Sequence, residues 1–181
     1  MKVLIINGHA ESGKSTFVKF CKETQKADVY EFSMVDAAKS MARLIGWDET
    51  MKSNKDRNFL SNLKDLIDRY NDGSYEYIKF QMENFVYSHD LRKETVVFIH
   101  AREPQDILRL TNEFNARSIV VRRKFVEDKT IGNHADSDWW IPNYDYTIIN
   151  NSDLEYLKKT SEQFMDYILQ EDWDNKSGEN Q

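Results

Sequence analysis

Apolar positions along this chain fall into short unbroken runs that alternate with longer stretches of helical spacing. Val3-Leu4-Ile5-Ile6 is a continuous aliphatic run leading into a glycine-containing turn, and such a run predicts a strand buried on both faces, as in a parallel sheet. Lys14 to about Thr24 predicts a helix with Phe17, Val18, Phe20 and Cys21 on its apolar side. Asp28 to Phe32 alternates and predicts a second strand. Ser33-Met34-Val35-Asp36 has capping-box spacing, with Asp in place of Glu, and opens a helix to about Ile45, where Gly46 stops it. Phe59, Leu60, Leu63, Leu66, Ile67 and Tyr70 form a helical stripe that Asp72-Gly73 breaks. Tyr75, Ile78, Met82, Phe85 and Val86 mark a further helix. Thr95 to Ile99 is the clearest β-branched run and predicts a third buried strand. Pro104 suits the first turn of a helix carrying Ile107, Leu108, Leu110 and Phe114. Arg117 to Val121 predicts a fourth strand and Tyr144 to Ile149 a fifth. Ser152-Asp153-Leu154-Glu155 reads as a full capping box opening the last helix.

Alternating strands and helices imply an α/β fold with a parallel sheet between helical layers. More helix lies between strands two and three than a crossover needs, so residues 34–90 read as an insertion with its own purpose, such as a substrate flap. Residues 122–143 are polar and irregular, and 174–181 form a polar tail. The expected organisation is a single domain over residues 1–173, carrying that helical insertion and a lid at 122–143.

Composition narrows the setting. The chain has 181 residues with 25 basic and 31 acidic side chains, a net charge of −6, which argues against a general nucleic-acid coat. One cysteine, Cys21, excludes an internal disulfide framework and a cysteine zinc site, and favours a cytoplasmic protein. No apolar run approaches the ~20 residues of a membrane span, so neither a membrane nor a nucleic acid is expected as a partner. A monomer or a dimer is expected.

The chemistry enters at Gly8-His9-Ala10-Glu11-Ser12-Gly13-Lys14-Ser15, which matches Gly-x4-Gly-Lys-Ser between a buried strand and a helix. The glycines let the backbone wrap an anion, and the helix N-terminus adds roughly half a positive charge. Lys14 reaches the β- and γ-phosphates of a nucleotide and the Ser15 hydroxyl binds Mg²⁺. Gly8 to Thr16 is therefore the candidate ATP-phosphate site: Gly8, His9, Ala10, Glu11, Ser12, Gly13, Lys14, Ser15 and Thr16.

A guanine-reading Asn-Lys-x-Asp segment is missing: the corresponding stretch is Asn150-Asn151-Ser152-Asp153. No cluster of acids ends a strand as in motor or AAA-type ATPases. A small-molecule kinase remains, and the placement of cations fits it, because phosphoryl transfer spreads negative charge that several segments must neutralise. Arg102 follows the third strand at the end where open α/β sheets bind ligands. Arg122 and Arg123 follow the fourth and open the lid. Lys39 and Arg57 lie in the helical insertion, where a solvated face and a substrate contact are both open.

The sequence resembles the nucleoside monophosphate kinase group of P-loop kinases, most of all the phage-type deoxynucleoside monophosphate kinases. The resemblance covers most of the chain. It rests on Gly8 to Ser15, on Phe32-Ser33-Met34-Val35-Asp36-Ala37-Ala38-Lys39 after strand two, on Arg102-Glu103-Pro104-Gln105-Asp106-Ile107, on the arginine-led lid and on the Asn-ending fifth strand. It implies a three-layer α/β/α P-loop NTPase core with five parallel strands, and Mg²⁺-dependent transfer of the γ-phosphate of ATP to a (deoxy)nucleoside monophosphate. Lys14 and the loop would hold ATP, and Arg102 the acceptor's phosphate. Arg122 or Arg123 would bridge donor and acceptor, with Asp36, Lys39 and Arg57 lining the acceptor pocket. The sequence departs from the family at the end of strand three. Relatives carry an Asp there that helps order Mg²⁺ through water, whereas this chain has His100-Ala101, with Glu103 as one substitute and His100 read as a packed strand residue. A kinase for another small acceptor, and a nucleotide-binding module without transfer activity, are the alternatives. His134 and its neighbouring aspartates read as a polar loop, and Trp139-Trp140 as an anchor for the lid.

Overall fold

The computed structural model describes residues 1–50, 53–90, 94–127 and 143–173. Most of the segment read as a lid, with His134 and Trp139-Trp140, lies outside the described residues, as does the tail.

The central strand is β1, Lys2–Asn7, followed by α1, Lys14–Glu23. Next come β2 (Asp28–Ser33) and three helices, α2 (Asp36–Leu44), α3 (Asn54–Asn71) and α4 (Gly73–Ser88). The second half holds β3 (Thr95–His100), α5 (Pro104–Glu113), β4 (Arg117–Arg122), the short α6 (Lys124–Glu127), β5 (Tyr146–Ile149) and α7 (Leu154–Gln170). The five strands form one sheet in the order β2-β3-β1-β4-β5, all parallel. This is the expected three-layer α/β/α architecture.

The unbroken apolar runs follow from burial on both faces. Leu4, Ile6, Phe98 and Val121 face α1 and α7, where Phe98 meets Phe17 edge to face at 6.3 Å and Phe17 meets Phe164 at 5.4 Å. Val3, Ile5, Val97 and Ile99 face the opposite layer, against Ile78, Met82 and Phe85 of α4 and Ile107 and Leu110 of α5. Burying each such side chain contributes about 1.5–3 kcal/mol.

Several boundaries differ from the sequence expectation. The last helix is capped by Asp153, whose carboxylate accepts the Tyr156 N–H at 2.8 Å, so the cap falls one residue after Ser152. At α2 only half of a capping box forms: Asp36 accepts the Ser33 N–H at 2.7 Å, while Val35 is the N-cap and no side chain caps the helix. β5 starts at Tyr146 instead of Tyr144. The Asp145 carboxylate takes the Ser118 N–H at 2.6 Å and its hydroxyl at 2.8 Å, so the ladder begins only where Tyr146 meets Ile119. The stripe of α3 is helical as read but leaves Leu66 60% and Tyr70 85% exposed, because α3 packs mainly on α2 and α4. Its start is a capping box of Ser53 and Asp56, which the stripe alone did not reveal.

Among the described residues no helix is long and apolar enough to cross a membrane.

Candidate phosphate-loop site

The loop after β1 folds as its glycines require. Gly8 has φ +140° and Gly13 has φ +98°, conformations that L side chains rarely adopt. A Cβ on Gly8 would run into the Val121 carbonyl oxygen, and one on Gly13 into the Asn150 side-chain amide. Gly13 is the N-cap of α1, and no side chain caps that terminus. The helix therefore opens toward the loop with its positive end, and its first turn carries no acidic residue. The Lys14 ammonium donates to the carbonyls of Gly8 and His9 at 2.5 and 2.9 Å, folding back over the loop. His9 donates from Nδ1 to the Ala10 carbonyl at 2.7 Å. The Ser12 hydroxyl and His9 Nε2 are buried without a hydrogen-bond partner among the described residues.

A brace comes from the far end of the chain. Asn150, at the exit of β5 and only 6% exposed, donates its amide to the Ser12 carbonyl at 2.8 Å. Its own N–H donates to the Arg122 carbonyl at 2.8 Å. Asn150 thus pins the loop to β4 and β5. Its side chain was not read as a site residue; the sequence signal was an Asn ending a strand at the carboxyl edge of the sheet.

Beside the loop, a cleft of about 770 Å³ opens at the carboxyl ends of β1, β2 and β3. It brings together six residues singled out in the sequence: Lys14, Ser15, Asp36, Lys39, Arg57 and Arg102. Ala10 and Glu11 also line it, while Gly8, His9, Ser12, Gly13 and Thr16 lie outside its lining. Lys39 and Asp36 are paired at 3.0 Å within α2. Arg122 and Arg123 do not line this cleft. Arg123 lines a second one, of about 530 Å³, with Asn150, Ser152, Asp153, Leu154 and Glu155. The arginines that close the fourth strand are thus separated from Arg102, because β1 stands between β3 and β4 in the sheet.

The cleft contains two charged groupings that were not expected. Lys64 of α3, 12% exposed, binds Asp68 at 2.8 Å, Glu103 at 3.2 Å and Asp106 at 3.3 Å. Burial alone would lower the Lys64 pKa, but the surrounding carboxylates outweigh it and raise it. Burial pushes Asp106 up to about 6 against the attraction of Lys64. A lysine four residues after Leu60 and three before Ile67, inside an apolar stripe, was the available signal. The second grouping pairs His100 Nε2 with Glu31 at 3.2 Å, both lining the cleft. His100 is therefore a cleft residue with a carboxylate partner, more than the packed strand residue expected. Its hydrogen bond holds Glu31 below the usual carboxylate range. Glu103 lines the cleft too, tied to Lys64. Cys21 lies on the buried side of α1, and burial pushes its thiol up to about 12, which makes it inert at neutral pH. Among the described residues no group of three or more His, Cys, Asp or Glu is arranged to hold a metal by itself.

No protein-family model matches the sequence, and no curated protein matches it. Solved structures align along most of the chain at low identity. The shikimate kinase of Aquifex aeolicus is 12% identical, with 92% of this chain and 98% of that one covered at a TM-score of 0.49. The APS kinase of Mycobacterium tuberculosis is 12% identical, with 93% and 97% covered at 0.48. A sugar kinase from Janibacter sp. is 13% identical, with 92% and 95% covered at 0.43.

Proposed function

We propose that this chain is a P-loop kinase that transfers the γ-phosphate of ATP to a small phosphorylated acceptor, with a (deoxy)nucleoside monophosphate as the leading candidate. One observation carries the reading. A single cleft joins Lys14 and Ser15 of the phosphate loop to Arg102 from the exit of β3 and to Lys39 and Arg57 from two helices of the insertion. Gathering cations from separate elements around a phosphate loop is what an in-line transfer between two polyanions requires.

In this reading the loop from Gly8 to Thr16 holds the donor's phosphates, with Lys14 turning from the Gly8 and His9 carbonyls to the β- and γ-phosphates. The smaller cleft beside Arg123, Asn150 and Asp153 adjoins the loop through the bond from Asn150 to Ser12 and takes the donor's base. Arg102 takes the acceptor's phosphate, and Asp36, Lys39 and Arg57 line the acceptor's side. Arg122 and Arg123 supply positive charge at the exit of β4 for the transferred phosphate, and residues 1–173 act as one domain. Ser15 presents a hard oxygen donor next to Lys14 in the cleft, which fits Mg²⁺. When bound there, that ion supplies neutralisation of the charge on the β- and γ-phosphates.

A second reading is favoured by His100, which stands where relatives of the resembled family carry the metal-ordering Asp. It makes the chain a nucleotide-binding module without transfer activity. Coupled ADP release over the common nucleoside monophosphates separates the two. The kinase reading expects at least one acceptor to stimulate release in the wild type and Lys14→Ala to abolish it. ATP binding without turnover on any phosphorylated acceptor would replace it with the binding module. Turnover on an acceptor other than a nucleoside monophosphate would keep the kinase and change its substrate.

A further inference from the structure

The corner after β3 is held from two sides. Towards β1, the Ala101 N–H donates to the Ile6 carbonyl at 3.2 Å and the Asn7 amide to the Arg102 carbonyl at 3.3 Å. Asn7 leads straight into Gly8, so this side ties Arg102 to the phosphate loop. Towards the insertion, the next residue, Glu103, is the N-cap of α5 and binds Lys64 of α3 at 3.2 Å. Lys64 also binds Asp106, in the first turn of α5, at 3.3 Å and Asp68 of its own helix at 2.8 Å. Asp68 in turn accepts the Ser74 N–H at 2.9 Å, at the start of α4. One ammonium thus joins two helices of the insertion to the corner that carries Arg102.

One face of α3 is turned to the cleft. Its lining residues are Arg57, Leu60, Ser61 and Lys64, at i, i+3, i+4 and i+7. Arg57 therefore stands two turns along the same face from the Lys64 anchor, roughly 10 Å away. Lys64 sits at the N-terminus of α5, the positive end of that helix, which is a poor place for a cation. A partly buried cluster of this kind stabilises a fold no better than apolar side chains of the same volume. What its bonds supply is direction: contacts to Glu103 and Asp106 together select one placement of α3 on the corner.

We propose that Lys64 is a positioning residue for the acceptor: through Glu103 and Asp106 it holds the cleft face of α3, and Arg57 with it, at a set distance from Arg102. The assignment rests on the kinase reading of the cleft. It gives Lys64 no contact with either ligand. Without Lys64, Arg57 and Arg102 remain on their own elements but lose their matched spacing. Acceptor binding then weakens, while the hold of the loop on ATP does not change, because the β1 side of the corner is untouched.

Steady-state kinetics with the nucleoside monophosphate that best stimulates ADP release, alongside titration with a non-hydrolysable ATP analogue, test this on the full chain. Lys64→Met is expected to raise the acceptor KM about three- to tenfold, the size of one weakened hydrogen bond, with the analogue's dissociation constant unchanged. Glu103→Gln leaves Lys64 bound to Asp68 and Asp106 and is expected to raise the acceptor KM in the same way. Lower stability alone removes folded enzyme, which reduces the apparent kcat and leaves KM as it was. Phe98→Ala, in the layer under α1, supplies that comparison and is expected to keep the acceptor KM of the wild type. An acceptor KM within about twofold of wild type in either Lys64→Met or Glu103→Gln overturns the assignment and leaves the kinase reading intact. So does an equal loss of affinity for the ATP analogue, and so does an equal rise of KM in Phe98→Ala. A wild type that releases no ADP with any nucleoside monophosphate overturns the reading of the acceptor, and the assignment falls with it.

Discussion

Replacing Lys64 by Met removes the ammonium that bridges a group of three carboxylates while preserving most of the side-chain volume. Lys64 is 12% exposed and Asp106 7%, so the group lies in a region where water screens poorly. Breaking a buried pair by removing one partner costs about 3–5 kcal/mol, because the remaining charge is stranded. Here the stranded side is Asp68, Glu103 and Asp106, and the last already sits up at about 6 with Lys64 present. Without the lysine its folded pKa rises further, while its unfolded value stays near roughly 4. An acid with a raised folded pKa binds more protons folded than unfolded, so stability falls as pH rises through the window between the two values. The Lys64→Met penalty is therefore expected to be small at pH 5, where Asp106 is largely protonated, and close to the full ~3–5 kcal/mol at pH 8. Urea denaturation of both proteins at the two pH values reads this directly. A penalty below ~1 kcal/mol at pH 8, the size expected of an exposed pair, would refute the argument, and so would one equal at both pH values.

Other outcomes follow from individual contacts. Gly13→Ala places a side chain at φ +98° against the Asn150 amide, so it is expected to cost about 1–2 kcal/mol from backbone strain alone and to weaken nucleotide binding in a titration. Phe98→Ala empties the centre of the layer under α1 and is expected to cost about 3–5 kcal/mol in urea denaturation. Arg123→Ala removes a wall of the smaller cleft and is expected to weaken ATP binding about threefold or more with the acceptor KM unchanged; unaltered ATP affinity would remove that cleft from the donor's site.

The legible parts of this protein were those encoded by neighbours in sequence. β1, the loop and α1 follow one another within residues Lys2 to Glu23, and each has its own local signal: a buried run, two spaced glycines, an apolar helix face. The parallel sense of the sheet also followed from the alternation of strands with helices. The parts that escaped notice depend on residues brought together from far apart. The Asn150 brace spans 138 positions, the bond from Glu31 to His100 69, and those from Lys64 to Glu103 and Asp106 39 and 42. Local spacing carries no trace of such pairings. It also could not show that Arg122 and Arg123 leave the β3 side of the sheet, since that follows from β1 lying between β3 and β4. The Ser152 cap was misplaced by one residue because Ser152 and Asp153 are both good N-caps and only the backbone conformation chooses between them.

The central claim is that the donor's phosphates and the acceptor meet in one cleft, with Arg102 on the acceptor's phosphate. Steady-state kinetics of Arg102→Gln with the best nucleoside monophosphate, alongside titration with an ATP analogue, tests it most directly. The account expects the acceptor KM to rise about tenfold or more, as for loss of a charge-assisted bond, while the ATP analogue's dissociation constant stays unchanged. An unchanged acceptor KM, or an equal loss in both ligands, would contradict it.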